Sequence, residues 1–272
     1  MTHSLDAQAD PGGPPVRLTR DGAVAVLTLN RPDAANTIDA PLAAAFRETL
    51  EALDGDESVR ALLLQGEGRM FCAGGDLTSF AEQGLGAARY VEGLIADLHA
   101  GLERLFAFHA PVVAAVHGAA AGAGLGLAMA ADLVIAGENA RFVMAYTRSG
   151  LTPDGGTSWA LPRLVGLRRA LELTYLNPTL TAAEARDQGL VTEVVPDSAV
   201  GARAGELARE LAAGPTAAYA AARRLLRESI RPEYAAHLRR EAVGIVEAFS
   251  SRDGLEGVRA FQERRAPVFH GR

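Results

Sequence analysis

Apolar positions along this chain recur with a period of two in some stretches and of three to four in others. VRLTRDGAVAVLTLN (16–30) holds two β-rich runs around Arg20-Asp21-Gly22, and Asp-Gly between such runs predicts a hairpin. Leu42, Phe46, Leu50 and Leu53 follow at helical spacing, with Asp39 placed to cap that helix. VRALLLQG (59–66) is short and apolar, as a buried strand is, and residues 67–79 read as a Gly-rich loop. Val91, Leu94, Ile95, Leu98, Leu102 and Leu105 form one face of a long helix. PVVAAVHG (111–118) predicts another buried strand, then a small-residue helix to about Ala130, and DLVIAG (132–137) a further strand.

Strands alternating with helices predict βαβ crossovers and a mainly parallel sheet, hence an α/β fold class. After Pro153 the pattern turns helical: residues 157–176, 181–189, 197–213, 215–230, 233–250 and 253–265 all read as helices, with LVTEVV (190–195) as one strand among them. The expected organisation is a loose tail over 1–15, an α/β core over 16–200 and a helical region over 201–272. Leu225, Leu226, Val243, Ile245 and Val246 carry apolar faces in that last region, which suits it to self-association.

A formal net charge of −6 argues against a nucleic-acid binder, which would need a basic stripe, and against an anionic-membrane binder. The single cysteine, Cys72, excludes an intramolecular disulfide and suits a reducing compartment. MTHSLDAQADPGGPPV lacks the basic and apolar regions of a signal peptide. A cytoplasmic location is the expectation.

HGAAAGAGLGLAMAAD (117–132) carries no charge before Asp132. Residues 105–131 are long and apolar enough to suggest a membrane span, but His109, Pro111, His117 and the β-branched residues before Gly118 fit a strand and a tightly packed helix better. A dinucleotide loop needs G-x-G-x-x-G, which the Gly122, Gly124, Gly126 spacing does not match. Two readings stay open together. The small residues let helix and strand pack closely, and the first turn of the helix exposes N–H groups without intrahelical partners. Such a turn forms a donor cluster at a positive dipole end. GRMFCAGGDL (68–77) is likewise small at Ala73, Gly74 and Gly75, so two strand-end loops can direct backbone N–H groups at one anionic oxygen.

At these residues the chain resembles the crotonase (enoyl-CoA hydratase/isomerase) superfamily. The matching stretches are LNRPDAAN (29–36), FCAGGDL (71–77), VHGAAAGAGLGLAMAADLVIAG (116–137), GLTPDGGTSWALPRLVG (150–166), TAAEARDQGLVTEVV (181–195) and EGVRAFQERRAPVF (256–269). The branch most similar is that of the ring-epoxide phenylacetyl-CoA isomerase and enoyl-CoA isomerases. The resemblance implies a ββα spiral core with a helical trimerisation region, assembled as a homotrimer or dimer of trimers. It implies an acyl-CoA thioester substrate, with coenzyme A entering as part of that substrate and no separate cofactor. By position, the oxyanion N–H groups fall on Gly75 and Ala123, the second being usually a glycine. Asp33, Ala34, Ala73, Asp76 and Leu77 fall where the family holds CoA, and Phe261 and Arg264 where a neighbouring subunit completes that site. Gly74, Gly122, Tyr146, Ser149 and Pro153 fall among substrate-contacting positions.

The two glutamates of the family's hydratases fall on Gly126 and Tyr146, so both acids are missing. Glycine cannot transfer a proton, and a tyrosine with an ordinary pKa near 10 is a poor base at neutral pH. Asp154 remains in the matching loop, where the similar isomerase branch has its acid/base aspartate; Pro-Asp-Gly-Gly also suits a turn or helix cap. Asp76 and Asp132 read as caps or buried hydrogen-bond partners, and Cys72 as a small buried residue. The six histidines show no metal-ligand spacing, and no G-x-S-x-G elbow occurs. The expected reaction is isomerisation of an unsaturated acyl-CoA through an enolate. The alternatives are hydration of a 2-enoyl-CoA, and CoA-thioester binding with a catalytically reduced site.

Overall fold

The computed structural model describes residues 13–228 and 231–268, so most of the expected N-terminal tail lies outside the described residues. The strands are β1 (Val16–Asp21), β2 (Val24–Leu29), β3 (Ala61–Gly66), β4 (Val112–Val116), β5 (Ala119–Ala121), β6 (Leu133–Gly137), β7 (Arg141–Val143), β8 (Leu180–Thr181) and β9 (Glu193–Val195). The helices of the first half are α1 (Ala40–Glu51), α2 (Leu77–Glu82), α3 (Ala87–Ala107) and α4 (Ala123–Ala130). Those of the second half are α5 (Thr157–Val165), α6 (Leu167–Leu176), α7 (Ala182–Asp187), α8 (Val200–Ala213), α9 (Thr216–Glu228), α10 (Arg231–Ser250) and α11 (Arg252–Gln262).

One six-stranded sheet runs β1-β2-β3-β4-β6-β9. Its β1–β2 pair is the antiparallel Asp-Gly hairpin, and every later pair is parallel. Successive side chains on a strand point to opposite faces, and both faces here are covered. Val24, Val26, Ala61, Leu63, Val113, Ala115 and Ile135 pack against Val200, Ala204, Ala208 and Ala212 of α8. Ala25, Leu27, Leu29, Leu62, Leu64, Ala114 and Val116 pack toward α1, α3 and α4. Burial on both faces explains why β2, β3, β4 and β6 read as continuous apolar runs, while the edge strand β1 keeps exposed polar positions.

A second sheet, β5-β7-β8, departs from the sequence-based expectation. The predicted helix after Gly118 is delayed: residues 119–121 form β5, which pairs with β7, and α4 begins only at Ala123. Residues 105–131 are thereby divided among α3, β4, β5 and α4, and among the described residues no helix is long and apolar enough to cross a membrane. The loop expected over 67–79 also ends early, because α2 starts at Leu77 with Asp76 as its cap. Gly166 splits the helix expected over 157–176 into α5 and α6.

Three loops at the carboxyl ends of β2, β3 and β4 are tied side by side by main-chain bonds. Ile38 N–H donates to Gly74 O at 2.7 Å, Asp76 N–H to Ile38 O at 3.0 Å and Ala73 N–H to Ala35 O at 3.1 Å. Cys72 N–H donates to Ala119 O at 3.1 Å, and Ala121 N–H returns a bond to Cys72 O at 3.0 Å. Ligands of open α/β sheets bind beyond the carboxyl ends of the strands, and these loops occupy that edge. Gly124 is what lets α4 lie against them: a Cβ there would stand 2.3 Å from Cys72 O, a backbone atom that cannot move aside locally. Gly124→Ala is expected to destabilise the fold by about 1–3 kcal/mol through overpacking, measured as a lower urea midpoint at unchanged m-value.

Candidate active site

The tied loops close over a largely apolar cavity of about 90 Å³. Ala73, Gly74, Gly75 and Leu77 reach it from the second loop, and Gly122 and Ala123 from the third. Tyr146, Ser149 and Asp154 enter from the segment after β7. Nine sequence-predicted site residues therefore converge. The other six do not line this cavity: Asp33, Ala34, Asp76, Pro153, Phe261 and Arg264.

Backbone donors face the space. Ala123 opens α4, so its N–H has no partner four residues back. Gly75 lies between two residues bonded to Ile38, yet among the described residues neither Gly75 N–H nor Ala123 N–H has an acceptor within the protein. Two such unpaired donors among the residues lining one cavity are the kind of group that can bind an anionic oxygen, and the positive end of the α4 dipole lies at one of them.

Asp154 supplies the titratable group. Its carboxyl is buried, and Oδ1 accepts the Tyr146 hydroxyl at 2.5 Å. Burial pushes its pKa up to about 6, while the Tyr146 bond pulls the other way. A proton-transfer group works best with its pKa near the operating pH. Tyr146 is held well above its ordinary pKa, chiefly by burial and then by the neighbouring Asp154 carboxyl, so it acts as a neutral donor. The backbone turn that aims it includes Ala145 at φ 62°, a sparsely populated conformation for a residue with a Cβ. Asp154 opens the expected turn, but its side chain does not cap α5. Gly156 occupies the α5 N-cap, and it is Asp154 O, not the carboxyl, that accepts Thr157 N–H at 3.0 Å.

Position 126 is closed. A Cβ at Gly126 would lie 2.5 Å from Gly155 O and 3.1 Å from Thr157 Cγ2, so the Asp154 turn fills the space beside α4. The carboxylates read as structural behave so. Asp76 caps α2 through Ser79 N–H and joins Arg31 at 3.2 Å; burial alone would raise its pKa, but these bonds hold it below the ordinary value. Asp132 accepts Val112 N–H and pairs with Arg223 and Arg227. Cys72 is fully buried, and its thiol is pushed up to about 12 by that burial. Phe261, by contrast, is 52% exposed on α11, so it is not a core residue of this chain.

The model of the family described as enoyl-CoA hydratase/isomerase matches residues 19–272. The chain belongs to the enoyl-CoA hydratase/isomerase family. A probable enoyl-CoA hydratase of Rhodobacter capsulatus is 39% identical over 94% of this chain and 98% of its own length. The 1,2-epoxyphenylacetyl-CoA isomerase of Escherichia coli is 37% identical over 92% of this chain and 95% of its own. Among solved structures, an enoyl-CoA hydratase from Mycobacterium avium subsp. paratuberculosis superposes with a TM-score of 0.85 at 33% identity, covering 94% of this chain and 98% of that one. The fold is thus the crotonase fold, and the chain is an acyl-CoA enzyme of this family.

Sequence reasoning missed several parts of this enoyl-CoA hydratase/isomerase site. Ile245 and Phe249 of α10 line the cavity, although the helical region was expected to serve self-association. Ile245 itself is 2% exposed, which removes it from any outer apolar face. The signal was present as a helical stripe: Tyr234, Leu238, Glu241, Ile245 and Phe249 are all buried.

The raised pKa of Asp154 predicts a pH-dependent stability penalty. The unfolded carboxyl titrates near 3.8 and the folded one near 6, so the fold binds more protons between these values and loses stability as pH rises through them. Above about pH 6 the penalty is complete. Asp154→Asn keeps an acceptor for Tyr146 and should raise stability at pH 8 by on the order of 1–3 kcal/mol. That gain should vanish below pH 4 in parallel thermal melts.

Proposed function

We propose that this enzyme isomerises an unsaturated acyl-CoA by moving one proton along an allylic system. Asp154 removes a proton from the acyl chain, the thioester oxygen takes up the negative charge, and the Gly75 and Ala123 N–H groups bind that oxygen. Asp154 then returns the proton at the other end of the allyl unit. One group serves as base and then as acid, so the double bond moves with no net gain or loss of atoms. The observation that carries this reading is that Asp154 is the single carboxyl among the residues lining the cavity.

Hydration is the competing reading, because relatives named as hydratases are of similar identity. It calls for a group that activates water beside one that delivers a proton. The space at Gly126 is occupied by Gly155, and the Tyr146 hydroxyl is engaged as a hydrogen-bond donor to Asp154. Both features favour the isomerase.

The acyl group is proposed to be apolar and uncharged. Ile38, Phe80, Leu94, Leu98, Ile245 and Phe249 present hydrocarbon, and no arginine or histidine is among the lining residues. A remote carboxylate on the acyl chain would find no cation there, and burying it unpaired is costly. Coenzyme A is proposed to enter only as the thioester, with the nucleotide held near Asp33, Ala34 and Asp76 and by Phe261 and Arg264 of a neighbouring copy. A homotrimer or dimer of trimers, located in the cytoplasm, completes the proposal. The exposed Leu225 (67%), Leu226 (73%) and Val243 (58%) support self-association.

Asp154→Asn should lower acyl α-proton exchange in deuterated buffer by about 10²-fold or more while CoA-thioester affinity stays nearly unchanged. Exchange at the wild-type rate would place the base elsewhere. A wild-type enzyme that adds water to a 2-enoyl-CoA without shifting double bonds would favour the hydratase. Absence of both activities together with retained CoA-thioester affinity would favour the catalytically reduced, binding reading.

Ala123→Pro tests the oxyanion donor separately. Proline is tolerated in a helix's first turn, so the variant should fold yet lose about 10²-fold in turnover. Full activity in a folded variant removes Ala123 from the mechanism.

A further inference from the structure

Glu241 lies on α10, far in sequence from the loops of the site, and is 5% exposed. Glutamate is seldom buried unless firmly paired. Among the described residues, the basic groups within 4 Å of its carboxyl are two imidazoles, His99 Nε2 at 3.9 Å and His237 Nε2 at 3.7 Å. Burial lowers the His99 pKa to about 4, so that ring is neutral, and burial also lowers that of His237. The carboxyl is held instead by donors of the turn that follows Asp154. Oε2 accepts Gly156 N–H at 2.7 Å, and Oε1 accepts Ser158 N–H at 3.1 Å together with the Ser158 hydroxyl.

The same turn is held from a second side. His99, on α3, accepts Gly155 N–H at Nε2 over 3.3 Å, which requires its own proton on Nδ1. Three backbone N–H groups, those of Gly155, Gly156 and Ser158, thus end on side chains brought from α3 and α10. On its other flank the turn packs directly on α4, where Gly155 meets Ala123 and Gly126. The carboxyl also stands at the N-terminus of α5, where negative charge is favoured. A hydrophobic side chain of equal volume would fill the space without the desolvation penalty of a buried acid.

We infer that Glu241 is a positioning residue for the reaction: from the C-terminal helix it clamps the 155–158 turn and so fixes the Asp154 carboxyl against the acyl cavity and the Ala123 donor. This rests on Asp154 being the acid/base. The clamp explains why α10 turns one face to the site, with Glu241 gripping the turn and Ile245 and Phe249 walling the cavity on the next two turns of the helix. The titratable groups facing Glu241 are Asp154 and Tyr146 from the loop after β7, His99 from α3, and Tyr234 and His237 from α10 itself. Burial pushes the Glu241 carboxyl up to about 7, the bonds from Ser158 and Gly156 pull it down, and the nearby Asp154 adds to the rise.

The experiment compares wild type, Glu241→Gln, Ser158→Ala and Asp154→Asn for thermal stability and for kcat, KM and pH profile of α-proton exchange, each normalised to folded enzyme. Glutamine keeps the size of the side chain but turns an amide nitrogen toward one set of donors. Glu241→Gln should lower kcat by about tenfold or more across the pH profile with KM within about twofold. Ser158→Ala, which removes one of the held donors, should lower kcat about two- to fivefold with KM and stability nearly unchanged. If Asp154→Asn exchanges at the wild-type rate, the acid/base reading fails first. If Asp154→Asn is inactive while Glu241→Gln and Ser158→Ala keep wild-type kcat, the clamp alone is overturned. Should Glu241→Gln not fold, Ser158→Ala decides: a reduced kcat at unchanged KM supports the clamp, and an unchanged kcat overturns it.

Discussion

Removing a carboxyl group from water penalises its charged form, and the chemistry of this site depends on that penalty at Asp154. The group is buried at the wall of an apolar cavity, with the Tyr146 hydroxyl as its side-chain partner. Enclosure lifts its proton affinity from that of an ordinary acid to about 6, where the carboxyl can both take and return a proton near neutrality. In the proposed reaction the same enclosure would strengthen the hold of the two unpaired N–H groups on a developing oxyanion. A solvated aspartate at the same position would stay ionised and be a weak base. Most other features of the fold maintain the enclosure: tied loops above, α3 and α10 as walls, and the 155–158 turn packed on α4.

Glycine is dense where the chain has least side-chain chemistry because close backbone packing there leaves no room for a Cβ. The stretch 117–132 works through what it lacks. Gly124 lets α4 approach the Cys72 carbonyl, and Gly126 leaves room for the Asp154 turn at the position that the hydratase pattern would give to a glutamate. The two changes are coupled: the aspartate turn and an acid at 126 compete for the same volume.

Much of this was legible in the sequence, for identifiable reasons. The parallel strands and α1, α3 and α8 carry strong local periodicity, and the Asp39 cap and Asp21-Gly22 hairpin are local signals that the fold obeys. The β5-β7-β8 sheet was not legible, because strands of two or three residues leave no period and pair only through distant partners. That Gly75, Ala123 and Asp154 meet at one cavity was reachable through loop chemistry and resemblance together. The Tyr146 hydroxyl was seen as a missing acid, and its role as donor to Asp154 depends on geometry. Glu241 lay furthest from view. It meets Gly156 across 85 positions of sequence, and a lone acid in an apolar helical stripe is a faint signal until the helix is seen against the loop.

The central claim is the proton affinity of one buried carboxyl, and carboxyl-selective ¹³C NMR measures it directly. In protein labelled at the aspartate side-chain carbons, the resonance absent from Asp154→Asn is followed through a pH titration of the unliganded enzyme. The account predicts a midpoint at about 6. A midpoint near the ordinary aspartate value of about 4 would contradict it.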